Sequence, residues 1–572
     1  MRRAVAAMLS VLIYAMPAAA ERVDLILHGG KIVTVDEAFS IAQAIAISGN
    51  KIVQVGADAE VLATQSPTTK LVDLAGKMVL PGLIDSHVHP AVASIHEFDH
   101  PIPDMHSIAD VLAYIKSRAE SLDAGQWIEV RQVFITRLAE QRYPTKAELD
   151  RAAPHHPVVF STGPDAMLNS LALKECGIDR DFVVTGSGAV EKDPQTGEPT
   201  GMLRSCARYI KSESAPKEPT FDQRLERLQT LFADYNSVGL TTVSDRYGTP
   251  EAIAQYQHLL KQQKLSVRMF ISHGLPTDGR LDAIQAHIRH VADHPLRDGG
   301  PMLQIIGLKA MLDGGMLTGS AYLREPWGVS SIYSITDPAY RGVLNIPPER
   351  LLPIVRTAVE EGLQFTAHAV GDGAVHTLLE VYDEIDKTLP IAETRPCLTH
   401  ANFMSREAID LAARLGVVAD IQPAWLYLDA RTLAAQFGHE RLRYFQPLRS
   451  LAEAGVVAGG GSDHMQKIGA DRAVNPYNPF LGLWVTMARE ARSFTGQLHP
   501  EETLSREQAI RFYTINNAHL LFQEQRVGSL EPAKLADLIV IDRDLLTCPL
   551  DQIRETQVLA TYVDGELVYE RD

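Results

Sequence analysis

The chain has 572 residues, with 54 Lys and Arg against 71 Asp and Glu, a formal net charge of −17 and no long basic run. That balance argues against nucleic acid and anionic membrane surfaces as partners, suits a soluble protein, and says little about the charge of a small-molecule substrate. The length fits an insertion-laden barrel accompanied by a small second domain.

Residues 1–20 read as a secretory signal. Arg2 and Arg3 form a positive start, Ala4 to Met16 an apolar core, and Ala18-Ala19-Ala20 a small-residue cleavage site before Glu21. The apolar stretch is short for a membrane span. An uncleaved N-terminal anchor is the alternative; no Cys follows the cleavage site, so a lipoprotein is not indicated. The mature protein is expected in the periplasm or outside the cell, with no stable membrane anchor. A homo-oligomer remains open.

Residues 21–80 read as β structure. Asp24–His28 and Lys31–Val35 flank Gly29-Gly30, a hairpin signal, and Ala44–Ile47 and Lys51–Val55 flank Ser48-Gly49-Asn50. The same texture returns over residues 527–572, where Ala536–Asp542 is a strand and Asp564-Gly565 separates two more. Neither piece is large enough for its own core. The two are expected to join in one β-sandwich.

Residues 81–526 alternate apolar strands with amphipathic helices, the pattern of an α/β barrel. The first barrel strand leads into His87-Val88-His89. Residues i and i+2 of a strand share a face, so both imidazoles can aim at one metal ion. About 150 residues separate this strand from the second, Leu240–Asp245, far more than a connecting loop needs. Residues 100–220 or so should form a lid or inserted subdomain over the barrel mouth. A third strand is expected at Val267–Ser272 and a seventh at Val417–Gln422. Four others end on metal-capable side chains: Gln304–Lys309, Leu363–His368, Pro396–His400 and Val456–Asp463. In a (β/α)8 TIM barrel, functional groups stand at the C-terminal ends of strands. The last barrel helix should start at Ser505, with Gln508 completing a capping box.

This order of His-x-His, Lys, His, His and Asp resembles the amidohydrolase superfamily of metal-dependent hydrolases, and most of all the amidohydrolase-3 subgroup that contains N-substituted formamide deformylases. The resemblance covers nearly the whole chain after residue 21. It includes His368-Ala369-Val370-Gly371-Asp372-Gly373, Asn169–Leu173 and Thr200–Leu203. It implies a TIM barrel beside a β-sandwich made from both chain ends. It also implies a divalent-metal site, zinc first among candidates. His87 and His89 would hold one ion, and His368 and His400 a second. Lys309, carboxylated, would bridge the two; unmodified Lys309 would leave one ion. Asp463 would contact the first ion and act as general base. The chain departs from the subgroup at Pro164, where a histidine is common, and after Gly319-Ser320, where an arginine is common.

The implied reaction is hydrolysis of a C–N bond in an amide or formamide. A deaminase, or a hydrolase of cyclic amides, esters or lactones, is the related alternative. A non-catalytic sensor or regulator retaining the fold is the rival from another class; all six ligand positions being filled favours the enzyme. Tyr322, Trp327, Trp425, Tyr427, Tyr477 and Phe480 fall in mouth loops, as a substrate pocket or as packing between lid and barrel. Lys309 could instead pair with Asp313. His155 and His156 read as structural or surface, His287 and His290 fall on a polar helix face, and His464 should point away from Asp463 if the strand persists or could line the pocket from the loop. Cys176 and Cys206 are open between a disulfide and two free thiols, and no Cys-x-x-Cys suggests a thiolate site.

Overall fold

The computed structural model describes residues 22–131, 133–162, 165–212 and 217–572. The expected signal segment and Pro164 lie outside them. Eight parallel strands form one sheet in chain order: β1 (Leu83–Val88), β2 (Leu240–Gly248), β3 (Arg268–Gly274), β4 (Leu303–Met311), β5 (Gln364–Ala369), β6 (Cys397–His400), β7 (Val418–Ile421) and β8 (Ala458–Gly460). Their buried apolar side chains face an outer ring of helices, as in a TIM barrel. The helix Arg406–Leu415 shows the local logic. Ser405 caps its start by accepting the Ala408 N–H, Ile409, Ala412 and Leu415 are buried, and Gly416 ends it at φ 66°. The helix expected at Ser505 is Arg506–Phe512, with its capping box formed by Ser505 and Gln508.

The barrel closes just beyond β8. Asp463 N–H donates to the His87 carbonyl and His89 N–H to the His464 carbonyl, both at 2.8 Å. Asp85 on β1 accepts the Ser462 N–H at 3.0 Å. Glycines make room for this seam: a Cβ on Gly461 would lie 2.8 Å from the His87 Cβ, and one on Gly459 would lie 1.9 Å from Asn517 Oδ1.

The chain ends meet below the barrel in two sheets. One orders Lys51–Gly56, Ala44–Ser48, Leu25–His28 and Lys70–Asp73; the other runs from Glu566–Glu570 through Val558–Val563, Leu538–Ile541, Met78–Pro81 and Lys31–Val33 to Ile41–Ala42. The strand Leu538–Ile541 pairs antiparallel with Met78–Pro81, and Leu27, Ile45, Ile47, Val79, Leu538 and Tyr562 share one core. The hairpin expected at Gly29-Gly30 is not one. Leu25–His28 and Lys31–Val33 belong to different sheets, and the glycines turn a corner where a Cβ on Gly30 would meet Leu74 Cδ1 at 2.4 Å.

Between β1 and β2 the insertion builds a five-stranded sheet, ordered Ala189–Lys192, Pro199–Arg204, Ala166–Leu168, Val158–Ser161 and Ile128–Arg131. The Asn169 and Gly201 motifs are structural here. Asn169 Oδ1 accepts the Val158 and Ala172 N–H groups at 2.9 Å, and Gly201 adopts φ 104° against the Leu168 carbonyl. Arg204 fastens this unit to the loop after β4 by donating to the Thr318 carbonyl at 2.8 Å. All four cysteines are free thiols. Among the described residues, no helix is long and apolar enough to cross a membrane.

Arg268 at the base of β3 joins barrel and sandwich. It is buried and forks onto Asp537 at 2.6 and 2.7 Å, with a further 2.7 Å bond to Asp564. Removing one member of a buried ion pair strands the other in low dielectric. Arg268→Leu should therefore lower the unfolding free energy by about 3–5 kcal/mol in urea titrations, and Arg268→Leu with Asp537→Leu should recover part of it. A loss under about 1 kcal/mol, the range of exposed pairs, would deny this pair its docking role.

Candidate metal centre

The site grows from the seam between β1 and β8. His87 and His89 lie two residues apart around the end of β1, and Asp463 follows β8 at φ 56°, a conformation that Asp tolerates better than most residues. Asn475 Nδ2 donates to the Asp463 carbonyl at 2.8 Å and holds that turn. His87 Nε2, His89 Nε2 and one Asp463 carboxylate oxygen form a triangle with every edge 3.2 Å.

The tautomers follow from the other ring nitrogens. His87 Nδ1–H donates to Asp420 Oδ2 on β7 at 3.0 Å, which leaves Nε2 a bare lone pair. Asp420 is itself held by Ser86 Oγ at 2.7 Å and Gln422 Nε2 at 2.9 Å. His89 Nδ1 stands 3.7 Å from Asp245, whose carboxylate also accepts the Tyr256 hydroxyl. Lone pairs and a carboxylate thus converge on one point and need a positive charge there. Without a metal that charge is a proton. Burial alone would lower the His89 pKa, but Asp245 and Asp463 raise it to about 9. A divalent cation fits as well: ideal tetrahedral coordination with ~2.0 Å bonds has ligand edges of about 3.3 Å. His87, His89 and Asp463 are the set of three such donors found together among the described residues.

Beside the triangle lie two more neutral imidazoles. His400, at φ 78° on the end of β6, donates Nδ1–H to Gln422 Oε1 at 2.7 Å and so frees Nε2. Its ring stacks between His87, at 5.0 Å, and Trp425, at 4.9 Å. His368 from β5 approaches the His400 ring at 4.4 Å, and its Nε2–H donates to the Gly314 carbonyl at 3.2 Å, which frees Nδ1. Burial, reinforced by Lys309, lowers the His368 pKa to about 3; burial also holds His87 and His400 well below the ordinary histidine value.

Lys309 is buried on β4 and has no hydrogen-bonded partner among the described residues. Burial lowers its pKa to about 7, against the pull of Asp420 and Asp463. It does not pair with Asp313, whose carboxylate accepts the N–H groups of Tyr322, Val370 and Gly371 at 2.9–3.0 Å. Those bonds explain the His368–Gly373 motif: Gly371 must be glycine because a Cβ would lie 2.0 Å from the Tyr322 carbonyl oxygen.

The aromatic positions divide. Trp425 touches a site ring, and Tyr322 and Tyr427 are half-buried nearby. Trp327 and Tyr477 do not line an open pocket. Trp327 is buried against Tyr333 and Phe437 and gives its indole N–H to the Ala321 carbonyl; Tyr477 is buried between Tyr235 and His464 and bonds Asp234. Long loops need a core of their own, and these rings supply it. Phe480 is likewise buried. Met311, two residues beyond Lys309, is 38% exposed at the end of β4, an apolar wall that the sequence did not single out. The sequence also did not single out Asp245 within β2, Asp420 within β7, or Gln422 just after it. His464 is structural, bonded to Tyr235 at 2.8 Å.

The sequence profile of the amidohydrolase family matches residues 70–569. The chain is 30% identical to the N-substituted formamide deformylase of Arthrobacter pascens, over 96% of this chain and 98% of that protein. It is 27% identical to the protein LONG AFTER FAR-RED 3 of Arabidopsis thaliana, over 96% and 91% of the two chains. Among solved structures, an uncharacterised metal-dependent hydrolase from Pyrococcus furiosus superposes with a TM-score of 0.65 at 20% identity, covering 91% of this chain and 100% of that one.

Asp420→Asn keeps the shape of the side chain but loses the anion that orients His87. It should weaken metal binding about 10–100-fold in chelator competition; unaltered affinity would mean that Asp420 does not set the ring. A pH dependence follows from His89. In the metal-free protein it keeps its proton to about pH 9, whereas an unperturbed histidine loses it near 6.5. Its contribution to stability is therefore complete below about 6.5 and vanishes as pH rises through about 9. Metal-stripped His89→Gln should lack that part of the wild-type decline in denaturation midpoint; parallel curves would refute the assignment.

Proposed function

The chain belongs to the amidohydrolase family, and on that premise we propose that it is an exported, cation-dependent hydrolase of a C–N bond in a small amide, with N-substituted formamides as the first compounds to test. The observation that carries this reading is the 3.2 Å triangle of two imidazole nitrogens and one carboxylate oxygen. The name of the Arthrobacter relative supports the choice of bond. Export rests on the signal-like residues 1–20.

His87, His89 and Asp463 would hold one cation. Lys309, His368 and His400 would complete a second position if Lys309 is carboxylated; its buried amine, with a pKa lowered to about 7 and no hydrogen-bonded partner among the described residues, suits that modification. Imidazole and carboxylate donors in a small site suit zinc. When bound, such an ion supplies Lewis acidity and makes water acidic enough to be a nucleophile near neutral pH.

The chain's own groups do the rest. Asp463 takes a proton from the attacking water as the water oxygen bonds to the carbonyl carbon. It returns that proton to the leaving nitrogen as the C–N bond breaks, which gives an acid and an amine. His89 and His368 are the ligand rings open to the mouth, at 20% and 13% exposure. Substrate would approach over them, with apolar parts against Met311 and Trp425.

Asp463→Asn should keep most of the bound metal, measured by mass spectrometry, and lose about 10²–10⁴-fold in turnover of N-acyl compounds. His368→Ala should instead lower metal occupancy. Near-full activity in metal-loaded Asp463→Asn would remove Asp463 as the base. Metal-loaded wild-type protein inert on amides, formamides, amidines, esters and lactones alike would favour the non-catalytic regulator.

A further inference from the structure

Arg246 is completely buried inside the barrel. It stands on β2, and its guanidinium reaches every odd-numbered strand. Nε donates to the Ser86 carbonyl on β1 at 2.9 Å. Nη1 donates to Ser272 Oγ on β3 at 3.1 Å and to Gln364 Oε1 on β5 at 3.0 Å. Asp420 Oδ2 on β7 lies 3.6 Å from Nε. Nη2 has no hydrogen-bond partner among the described residues.

A buried guanidinium is expensive, and well-packed apolar residues often stabilise a core as well or better. Filling the barrel therefore does not account for an arginine here. Two of its contacts bear on one side chain. Ser86 is the residue before His87, so the bond to its carbonyl fixes the main chain from which that imidazole projects. Asp420 Oδ2 is the acceptor for His87 Nδ1–H, so the charge beside it fixes the far end of the same ring. The single Nε–H bonds the Ser86 carbonyl, while the guanidinium charge lies 3.6 Å from Asp420 Oδ2, an ion pair without a hydrogen bond.

We propose that Arg246 is the positioning residue of the metal centre, holding His87 at both ends, through the Ser86 carbonyl and the Asp420 carboxylate, without touching ion or substrate. This rests on the metal-site reading above. The distinction from a structural role lies in its contacts: those to Ser272 and Gln364 brace the barrel, and those to Ser86 and Asp420 aim a ligand.

The test uses the full chain loaded with cobalt(II), with affinity read by chelator competition, ligand geometry by the visible absorption of the bound ion, and folding by circular dichroism and urea midpoint. Arg246→Gln should fold, lose about 10–100-fold in affinity, as when a ligand-orienting group is removed, and alter the cobalt spectrum. Arg246→Lys keeps the charge but not the fork, and should recover part of the affinity with the spectrum still altered. Ser272→Ala, which removes only a bracing contact, should keep both within about threefold, well inside the loss expected for an orienting partner. A folded Arg246→Gln or Arg246→Lys with wild-type affinity and spectrum would overturn the proposal. So would failure of both variants to fold, which would assign Arg246 to barrel stability. Wild-type protein that binds no cobalt would instead defeat the metal-site reading itself.

Discussion

Closure of the barrel between β1 and β8 is the constraint on which the site depends. His87 and His89 belong to one side of that seam and Asp463 to the other. The backbone bonds that close it run through these same residues, Asp463 N–H to His87 and His89 N–H to His464. The relative position of the three donors is thus set by main-chain geometry rather than by flexible side chains. Gly461 is part of the arrangement, because any Cβ there would push against His87 and open the seam. The left-handed backbone at Asp463 and His400 is the strain that such a closed arrangement can hold.

Below the seam, the barrel interior is polar, and its charges are matched. Asp420 faces Arg246 and accepts from Ser86, Gln422 and His87. Three of the candidate ligand rings have a hydrogen-bonded partner on the second nitrogen, Asp420 for His87, Gln422 for His400 and the Gly314 carbonyl for His368, while His89 Nδ1 stands 3.7 Å from Asp245. These partners settle where the lone pairs point. Lys309 is the exception: it has no hydrogen-bonded partner among the described residues, and burial lowers its pKa.

The candidate ligands stand out in the sequence because each ends an apolar strand run, and strand ends face one mouth in this architecture. Their supporting groups do not. Asp420 touches His87 across 333 residues of chain, a contact created by inter-strand register and barrel closure. Asp245 lies within an expected strand and Gln422 one residue past another, but nothing local distinguishes them from other polar residues near strand ends. The Gly29-Gly30 pair shows the opposite failure. Two glycines between strands suit a hairpin and a corner between sheets equally, and only the partner strand Met78–Pro81 decides. For Trp327 and Tyr477, aromatic rings in mouth loops suit a pocket wall and loop packing equally, and the structure uses them for packing.

The sandwich has a consequence for the order in which the molecule can be completed. The strand Met78–Pro81, directly before the barrel, takes its antiparallel partner from Leu538–Ile541. Until the last part of the chain has been made, an early β-rich segment presents an unpaired strand edge and an open apolar face. Pairing over such sequence separation is slow, and exposed edges invite association with other chains. The barrel can be assembled from neighbours in sequence order, but the strands that precede it must wait for the last part of the chain. Truncation at the C-terminus would therefore be felt first at the N-terminus.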